Sequence, residues 1–569
     1  MKRIFSYLRR YRVQAILAPL FKLAEAIFEL LIPLIVADII DKGIPSGDMR
    51  YILGRVGLMV AFAAVGLAFS ITAQFFAART AVGAARSLRQ DLFRHVESLS
   101  FAELDSLGAA NVVNRFNSDC QEVQNGVNMV LRLLLRSPFI VFGAMIAAFT
   151  VDGSAWIFAV LIPVLTAAVV LVTLSCVPLY RLSQRRLDLV TEAVRENLTG
   201  RRVIRAFAAE EGEIRRFDTL HRNLTFIQRK AGRVAALLNP LTYVIVNAAV
   251  IALVWVGAVK VDRGALTTGQ VVAMYNYMSQ ILVELLKLTD LVILITRAVA
   301  STKRLDETFS VTSSQIFPDV MPTPLLTPYA VRFCHVRMRY SEGSMYAVDD
   351  VSLDLPYGAT LGVIGATGSG KSSLVSLLPR FYDYQEGDVL LDGVSVRAYP
   401  RAALRRAVAV VMQHSVLFEG TLRDNLTLGN PEATDEEIAE AVRIAEASDV
   451  VAAKGGLDAV VTEGGRNLSG GQRQRVCIAR ALLCHPKVLV LDDSSSALDN
   501  VTDARLRRSL RTAGYTVITV SQRVSAVKDA DRIAVMDEGK VIAYGTHEEL
   551  LATCSVYREI DELQKGGTL

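Results

Sequence analysis

Residues 361–378 read LGVIGATGSGKSSLVSLL. The apolar run Leu361–Ile364 is strand-like. It leads into Gly365-Ala366-Thr367-Gly368-Ser369-Gly370-Lys371-Ser372, which fits the pattern G-x-x-x-x-G-K-S/T and opens a helical run. Glycines let successive backbone N–H groups curl round phosphate oxygens, and the N-terminus of the following helix adds the positive end of its dipole. Lys371 reaches the terminal phosphates, and the Ser372 hydroxyl is placed to bind Mg²⁺. Strand, glycine loop and helix in this order predict an α/β domain that binds ATP. Its phosphate-side candidates are Gly365, Thr367, Gly368, Ser369, Gly370, Lys371, Ser372 and Ser373.

A second strand-like run, Val488–Leu491, ends in Asp492 and Asp493. Two carboxylates at the tip of a buried strand are costly to place unless a cation meets them. Beside a phosphate loop, the cation for Asp492 is the Mg²⁺ of the bound nucleotide, shared with Ser372. The strand is therefore expected to lie beside that loop. In AVVMQHSVLFEG (409–420) Gln413 follows another strand, where its amide can reach the metal or a water. In NLSGGQRQRVCIARALLCHP (467–486) Ser469-Gly470-Gly471 forms a second glycine-bearing loop at a helix N-terminus, also suited to phosphate. One nucleotide does not need two such loops from one chain. They fit together if two chains meet head to tail, each closing the other's site.

The first 300 residues have a different character. The whole chain has 569 residues, 52% of them hydrophobic, and a net charge of +5, a mild excess that argues against a dedicated nucleic-acid binder. A helix needs roughly 20 apolar residues to cross the hydrocarbon core. Six segments qualify on this reading: about 15–39, 53–79, 127–151, 155–180, 237–260 and 268–296. The N-terminus and the long connections 80–126 and 181–236 are rich in Arg, for example Arg86, Arg89, Arg185, Arg201 and Arg205. The positive-inside rule places them in the cytoplasm, with both termini, and the short turns outside. The long connections show helical spacing, with breaks expected at Gly108 and Gly200. Lys22, Glu25 and Glu29, and likewise Glu284, Lys287 and Asp290, share a face within a span; they meet either cargo or one another. The six cysteines form no close pair, which fits reducing surroundings, and no cleavable signal peptide is visible. FPDVMPTPLLTP (317–328), with Pro318, Pro322, Pro324 and Pro328, reads as a linker, followed by the strand-like AVRFCHVRMRY (330–340). The expected organisation is an all-α six-helix transmembrane domain over 1–315, a linker over 316–330 and an α/β P-loop domain over 331–569.

Taken together, the phosphate loop 365–372, Gln413, Leu468-Ser469-Gly470-Gly471-Gln472, Asp492 and Ser496-Ala497-Leu498-Asp499 resemble the ordered motif set of an ABC transporter half, an exporter-type membrane domain fused to one nucleotide-binding domain. ENLTGRRVIRAF (196–207) looks like the family's second cytoplasmic coupling segment, and SLGAANVVNRFNSD (106–119) more loosely like its first. The resemblance implies that Tyr340 stacks on adenine and that Gln413 senses the γ-phosphate. It also implies that Ser469–Gln472 close the nucleotide site of a second half-transporter and that Ser496–Asp499 link the two sites.

Two positions depart from the family's pattern. Where the family has a Glu as general base, this chain has Asp493, one methylene shorter. A base must lie within about 2.6–3.2 Å of its proton, directly or through one water. Where the family has a His on the γ-phosphate, this chain has Gln522, which offers neither charge nor an imidazole proton. The combination looks like the degenerate-site subunit of a heterodimeric multidrug-type exporter in a bacterial plasma membrane, with MgATP binding retained and hydrolysis impaired. The implied cargo is small and amphipathic or hydrophobic, and the surroundings are membrane lipid; no nucleic acid is involved. The alternatives are a homodimeric exporter of lipids or peptides, a siderophore-type importer on the same architecture, and an ATP-gated membrane regulator. Six spans argue against a soluble mechanical or repair ATPase with the same head motifs.

Overall fold

The computed structural model describes residues 2–323 and 325–566; Met1, Pro324 of the expected linker and residues 567–569 lie outside the described residues. The chain forms two compact units. One runs up to His95 and again over Ala110–Ser310; the other comprises Val96–Ala109 and the described chain from Val311 onward.

The first unit is helical. Its principal helices are Arg12–Asp38, Met49–Ser98, Cys120–Leu133, Arg136–Val151, Trp156–Ala206, Glu210–Ala236, Leu238–Asp262 and Thr268–Ser310. Among the described residues, four helical stretches are long and apolar enough to cross a membrane: Met49–Ser98, Ala109–Val151, Trp156–Ala206 and Glu210–Asp262. The expectation of six is thus met by apolar composition at four segments. The other two, Arg12–Asp38 and Thr268–Ser310, are helical but carry polar and charged residues along their length. Helix Trp156–Ala206 has 51 residues. At about 1.5 Å per residue it is roughly two and a half times as long as the hydrocarbon core is thick, so it continues beyond the bilayer, as its helical spacing indicated. Leu53, Val60, Leu67, Ile71 and Phe75 are exposed along Met49–Ser98, an apolar face fit for lipid.

Of the two expected breaks, one is where the glycine predicted it. Helix Phe101–Leu107 stops at Gly108, whose φ of 74° only glycine adopts freely. Gly200 does not break its helix, which continues to Ala206, and the reversal comes at Ala208 with φ 50°. A single helical glycine costs only about 1 kcal/mol relative to alanine, too little to end a helix this long.

The charges within the spans pair with one another. Lys22 donates to Glu25 at 2.6 Å and to Ser70 at 2.9 Å. Arg136, which the pattern of spans did not single out, donates to Glu284 at 2.6 Å and to Glu29 at 2.7 Å. Ser137 and Lys287 also donate to Glu284, at 2.7 and 2.8 Å. Glu284 and Arg136 are buried, and Glu284 borders, with Glu29, Lys287, Asn276, Ser279 and Gln280, a cavity of about 440 Å³. Asp290 is exposed.

The second unit is built on two larger sheets. Its strands are β1 (Tyr329–Met338), β2 (Val348–Pro356), β3 (Thr360–Gly365), β4 (Glu386–Leu391), β5 (Val394–Ser395), β6 (Val408–Val411), β7 (Gly420–Thr421), β8 (Val460–Val461), β9 (Val488–Asp492), β10 (Thr516–Ser521), β11 (Arg532–Asp537) and β12 (Lys540–Gly545). An antiparallel sheet has the order β2-β1-β4-β5, and the main sheet has β12-β11-β3-β10-β9-β6, parallel except at its β12 edge. β7 and β8 pair separately. Strands covered on both faces read as continuous apolar runs; Val488–Leu491 and Thr516–Ser521 are buried throughout. The last membrane-unit helix ends at Ser310 and β1 opens at Tyr329, and the described residues between them, 311–323 and 325–328, form neither helix nor strand.

Two outcomes test this packing. Arg136→Ala leaves the buried Glu284 without its main partner, so it should destabilise the detergent-solubilised chain by about 3–5 kcal/mol in thermal unfolding, whereas Lys287→Ala, at a half-exposed position, should cost far less. Asp531 anchors the start of β3 by accepting from Thr360 N at 2.8 Å and pairs with Arg511 at 2.7 Å. Burial alone would raise its carboxyl, but the Thr360 hydrogen bonds and Arg511 outweigh this and hold it below the usual range. A depressed folded pKa gives stability that is complete above the unfolded value and lost as pH falls through the folded one. Asp531→Asn should therefore cost about 1 kcal/mol at pH 7, modest because the group is half exposed, and the difference from wild type should shrink below about pH 4.

Candidate nucleotide-binding site

Parallel strands point their carboxyl ends the same way, and the loops leaving β3, β6, β9 and β10 at that edge carry Lys371, Gln413, Asp492 and Gln522. The strand carrying Asp492 does not pair with the phosphate-loop strand; β10 lies between them. The two parts nevertheless meet, because helix Lys371–Leu377 packs across β3, β10 and β9. Its Ser372 hydroxyl donates to Asp492 Oδ1 at 2.9 Å.

The loop holds its shape through backbone that larger residues would not tolerate. Gly370 has φ 94°, and a Cβ there would collide with the Ala347 carbonyl. Ala366, Thr367 and Gly368 form an exposed tip, while Ser369 is buried. Lys371 Nζ folds into the loop, donating to the carbonyls of Gly365 at 3.0 Å and Ala366 at 2.6 Å and to Ser369 Oγ at 3.3 Å. Burial lowers the pKa of this ammonium, and the charges of Asp493 and Asp492 oppose that.

Asp492 is raised above the usual carboxylate range, chiefly by burial; the Asp493 charge adds to this, and the Ser372 hydroxyl and Lys371 work against it. Such a group is stabilised by a cation. Ser372 and Asp492 present hard oxygen donors of the kind Mg²⁺ takes. Among the described residues no three His, Cys, Asp or Glu side chains converge into a metal cluster.

Asp493 has φ 46° and ψ 30°, a left-handed conformation uncommon for a side-chain-bearing residue. Its N–H donates to Val520 O at 2.9 Å, and its carbonyl accepts from Ser496 Oγ at 2.8 Å. Its carboxylate accepts from Gln413 Nε2 at 3.1 Å. Burial raises its pKa, while Arg523 and the Gln413 hydrogen bond oppose the rise. Gln522 is exposed and, with Asp493 and Arg523, borders a cavity of about 950 Å³. Tyr340 is 55% exposed, meets Tyr382 edge-on and shares a 2.9 Å hydrogen bond with Ser373, leaving a ring surface open to a base.

Ser469–Gln472 stand apart from this group. Ser469 caps helix Gly470–Leu482, accepting from Gln472 N at 3.3 Å, while Gln472 Oε1 accepts from Ser469 N at 2.9 Å. Ser469 and Gly470 are exposed, and a Cβ at Gly471 would press on Ala497 O at 2.9 Å. Among the described residues neither Ser469 nor Gln472 has a side-chain hydrogen bond to the phosphate loop. Asp499 caps the next helix, accepting from Thr502 N at 2.9 Å.

The second unit also includes helix Phe101–Leu107, which lies within the long connection 80–126. Phe101 meets Phe381 at 4.8 Å, Tyr382 donates to Asp105 at 2.5 Å, and Glu103 accepts from Ser314 N at 3.2 Å. The docked segment is 96–109, a little ahead of the 106–119 stretch the motif resemblance pointed to. Sequence reasoning also missed Gln564, whose amide bonds to the loop carrying Gln522. No spacing rule links positions so far apart.

This membrane-plus-nucleotide architecture has known counterparts. Residues 15–285 match the family model described as ABC transporter transmembrane region, and residues 348–496 match the one described as ABC transporter. An uncharacterized ABC transporter ATP-binding protein of Mycobacterium tuberculosis (strain CDC 1551 / Oshkosh) is 35% identical over 97% of this chain and 96% of its own length. An ATP-dependent lipid A-core flippase of Hahella chejuensis is 31% identical over 92% of this chain and 90% of its own. The structure of a bacterial Atm1-family ABC exporter with ATP bound shares the fold at a TM-score of 0.79 and 24% identity, with 98% of each chain covered. The chain belongs to the ABC transporter family. It is an exporter-type half transporter, a multi-pass membrane protein with a fused ATP-binding domain, and a half of this kind dimerises with another half or with itself.

If Ser372 and Asp492 hold the metal, Ser372→Ala and Asp492→Asn should each weaken Mg²⁺-dependent ATP binding about ten-fold or more. Binding in EDTA should stay close to wild type. Equilibrium binding of a fluorescent ATP analogue with and without metal reads the difference.

Proposed function

We propose that this chain is the hydrolysis-impaired subunit of a heterodimeric exporter in a bacterial plasma membrane, with six spans and both termini cytoplasmic. The observation that carries the reading is Asp493: a short carboxylate at the position of the general base, with its side chain bonded to Gln413 at 3.1 Å. Moving a base by about an ångström is enough to slow proton abstraction severely. Gln522 supplies no charge to a developing phosphate oxyanion.

At this chain's own site, Tyr340 stacks on the adenine, the backbone of 365–370 cradles the phosphates, and Lys371 leaves the loop carbonyls for the stronger phosphate acceptors. Ser372 and Asp492 would hold Mg²⁺, which would spread the charge of the terminal phosphates. Ser469, Gly470 and Gly471 close the companion's site, where a longer acid activates water. ATP binds the closed dimer more tightly than the open one, so binding shifts the population toward closure and hydrolysis at the competent site resets it. Helix Phe101–Leu107, seated against Phe381 and Tyr382, carries that motion toward the membrane helices. The cavity bordered by Glu29, Gln280 and Lys287 suits an amphipathic cargo with a polar head.

A second reading, a homodimer that moves lipid, is favoured by the lipid A-core flippase among its relatives. ATPase rates separate the two. In the heterodimer, Asp493→Ala should change turnover by less than about three-fold, while removing the companion's acid should abolish it, and this chain alone should hydrolyse slowly. Equal rates for the chain alone and for the pair, or loss of transport into vesicles on Asp493→Ala, would remove the heterodimer reading.

A further inference from the structure

The last described helix, Ser555–Gly566, is anchored at its start by Tyr557, which is fully buried with Val524, Val527, Ile533, Val535 and Leu550. One face of its far end lies over the loop that follows β10. There the Gln564 amide bonds to backbone at two points. Oε1 accepts from Val524 N at 2.8 Å, and Nε2 donates to Gln522 O at 2.7 Å. A third bond, Arg523 N to Ser521 Oγ at 3.0 Å, ties the same turn from within. The backbone on both sides of Arg523 is therefore held, while the Gln522 side chain faces the cavity it shares with Asp493 and Ser496.

The chemistry of the contact suits an amide. Val524 opens the short helix Val524–Val527, so its N–H has no partner within that helix. Gln522 O needs a donor. Only a group that both accepts and donates satisfies the two together. A hydrocarbon side chain would supply neither bond, and a carboxylate would keep the acceptor but set its charge against the Gln522 carbonyl.

We propose that Gln564 is a positioning residue for nucleotide recognition. By fixing the main chain of 522–524, it aims the Gln522 side chain at the terminal phosphate, so that the C-terminal helix sets this site's preference for ATP over ADP. The inference rests on the reading that Gln522 faces that phosphate. Gln564 borders the same cavity, and the role assigned to it is through the loop backbone it holds.

The test is photolabelling of this chain in native membranes with 8-azido-ATP, competed by ATP or by ADP, which reports on this chain's site apart from its companion's. Gln564→Ala should weaken competition by ATP about ten-fold, the size of one lost hydrogen bond to a charged group, with ADP changed by less than about two-fold. Gln564→Glu keeps the acceptor for Val524 N and should give the same selective loss, which keeps the test open if the alanine variant folds poorly. Gln522→Ala should reproduce the loss, and the double variant should be no worse than either single one. If Gln522→Ala is selective but both Gln564 variants weaken ATP and ADP equally, or if the two positions are additive, Gln564 merely stabilises the fold and the proposal fails. If Gln522→Ala leaves the ATP-to-ADP ratio unchanged, the reading of Gln522 fails, and the positioning role falls with it.

Discussion

The ATP-binding unit depends on one electrostatic constraint. Two carboxylates, Asp492 and Asp493, sit at the carboxyl edge of a buried parallel sheet, and burial works against the charge of both. The surroundings answer with a hydroxyl from Ser372, an amide from Gln413 and the nearby charges of Lys371 and Arg523. None of these neutralises Asp492 as a divalent cation would. The carboxyl edge of the sheet is thus organised round two acids, one of them bonded to the helix that follows the glycine loop. The left-handed backbone of Asp493, tied to Val520 and Ser496, shows how tightly the turn after β9 is drawn to keep both acids at that edge.

The membrane unit solves a similar problem differently. Ionisable side chains among apolar helices are expensive unless paired. Here Arg136 joins Glu29 and Glu284 from three separate helices, with Lys287 and Ser137 completing the cluster. Removing any buried member leaves a charge without a partner, so the cluster specifies which helices pack together more than it adds net stability. The half-exposed Glu29 and Lys287 then give the neighbouring cavity a polar wall at no further desolvation cost.

Much of the site was legible in the sequence because its chemistry is local. A glycine loop between a strand and a helix, or an acid at the end of an apolar run, leaves its mark within a dozen or so residues. The same holds for the break at Gly108 and for the helices that outrun the bilayer. Legibility ended where partners come from far along the chain. Arg136 meets Glu284 from 148 positions away, and Gln564 meets Gln522 from 42. Gly200 misled because a glycine permits a break without requiring one; the reversal at Ala208 is set by how the two long helices pack.

The sequence by itself determined the glycine loop with its lysine and serine, the paired acids at the end of an apolar run, the apolar stretches that must leave water, and the aspartate at 493. Each is a property of side-chain chemistry and short-range spacing. Only the tertiary structure decided that β10 separates β3 from β9, that helix Lys371–Leu377 bridges them, and that segment 96–109 belongs with the ATP-binding unit. Strand order and helix docking follow from burying surfaces contributed by distant parts of the chain, and that burial leaves no periodic trace in any one of them.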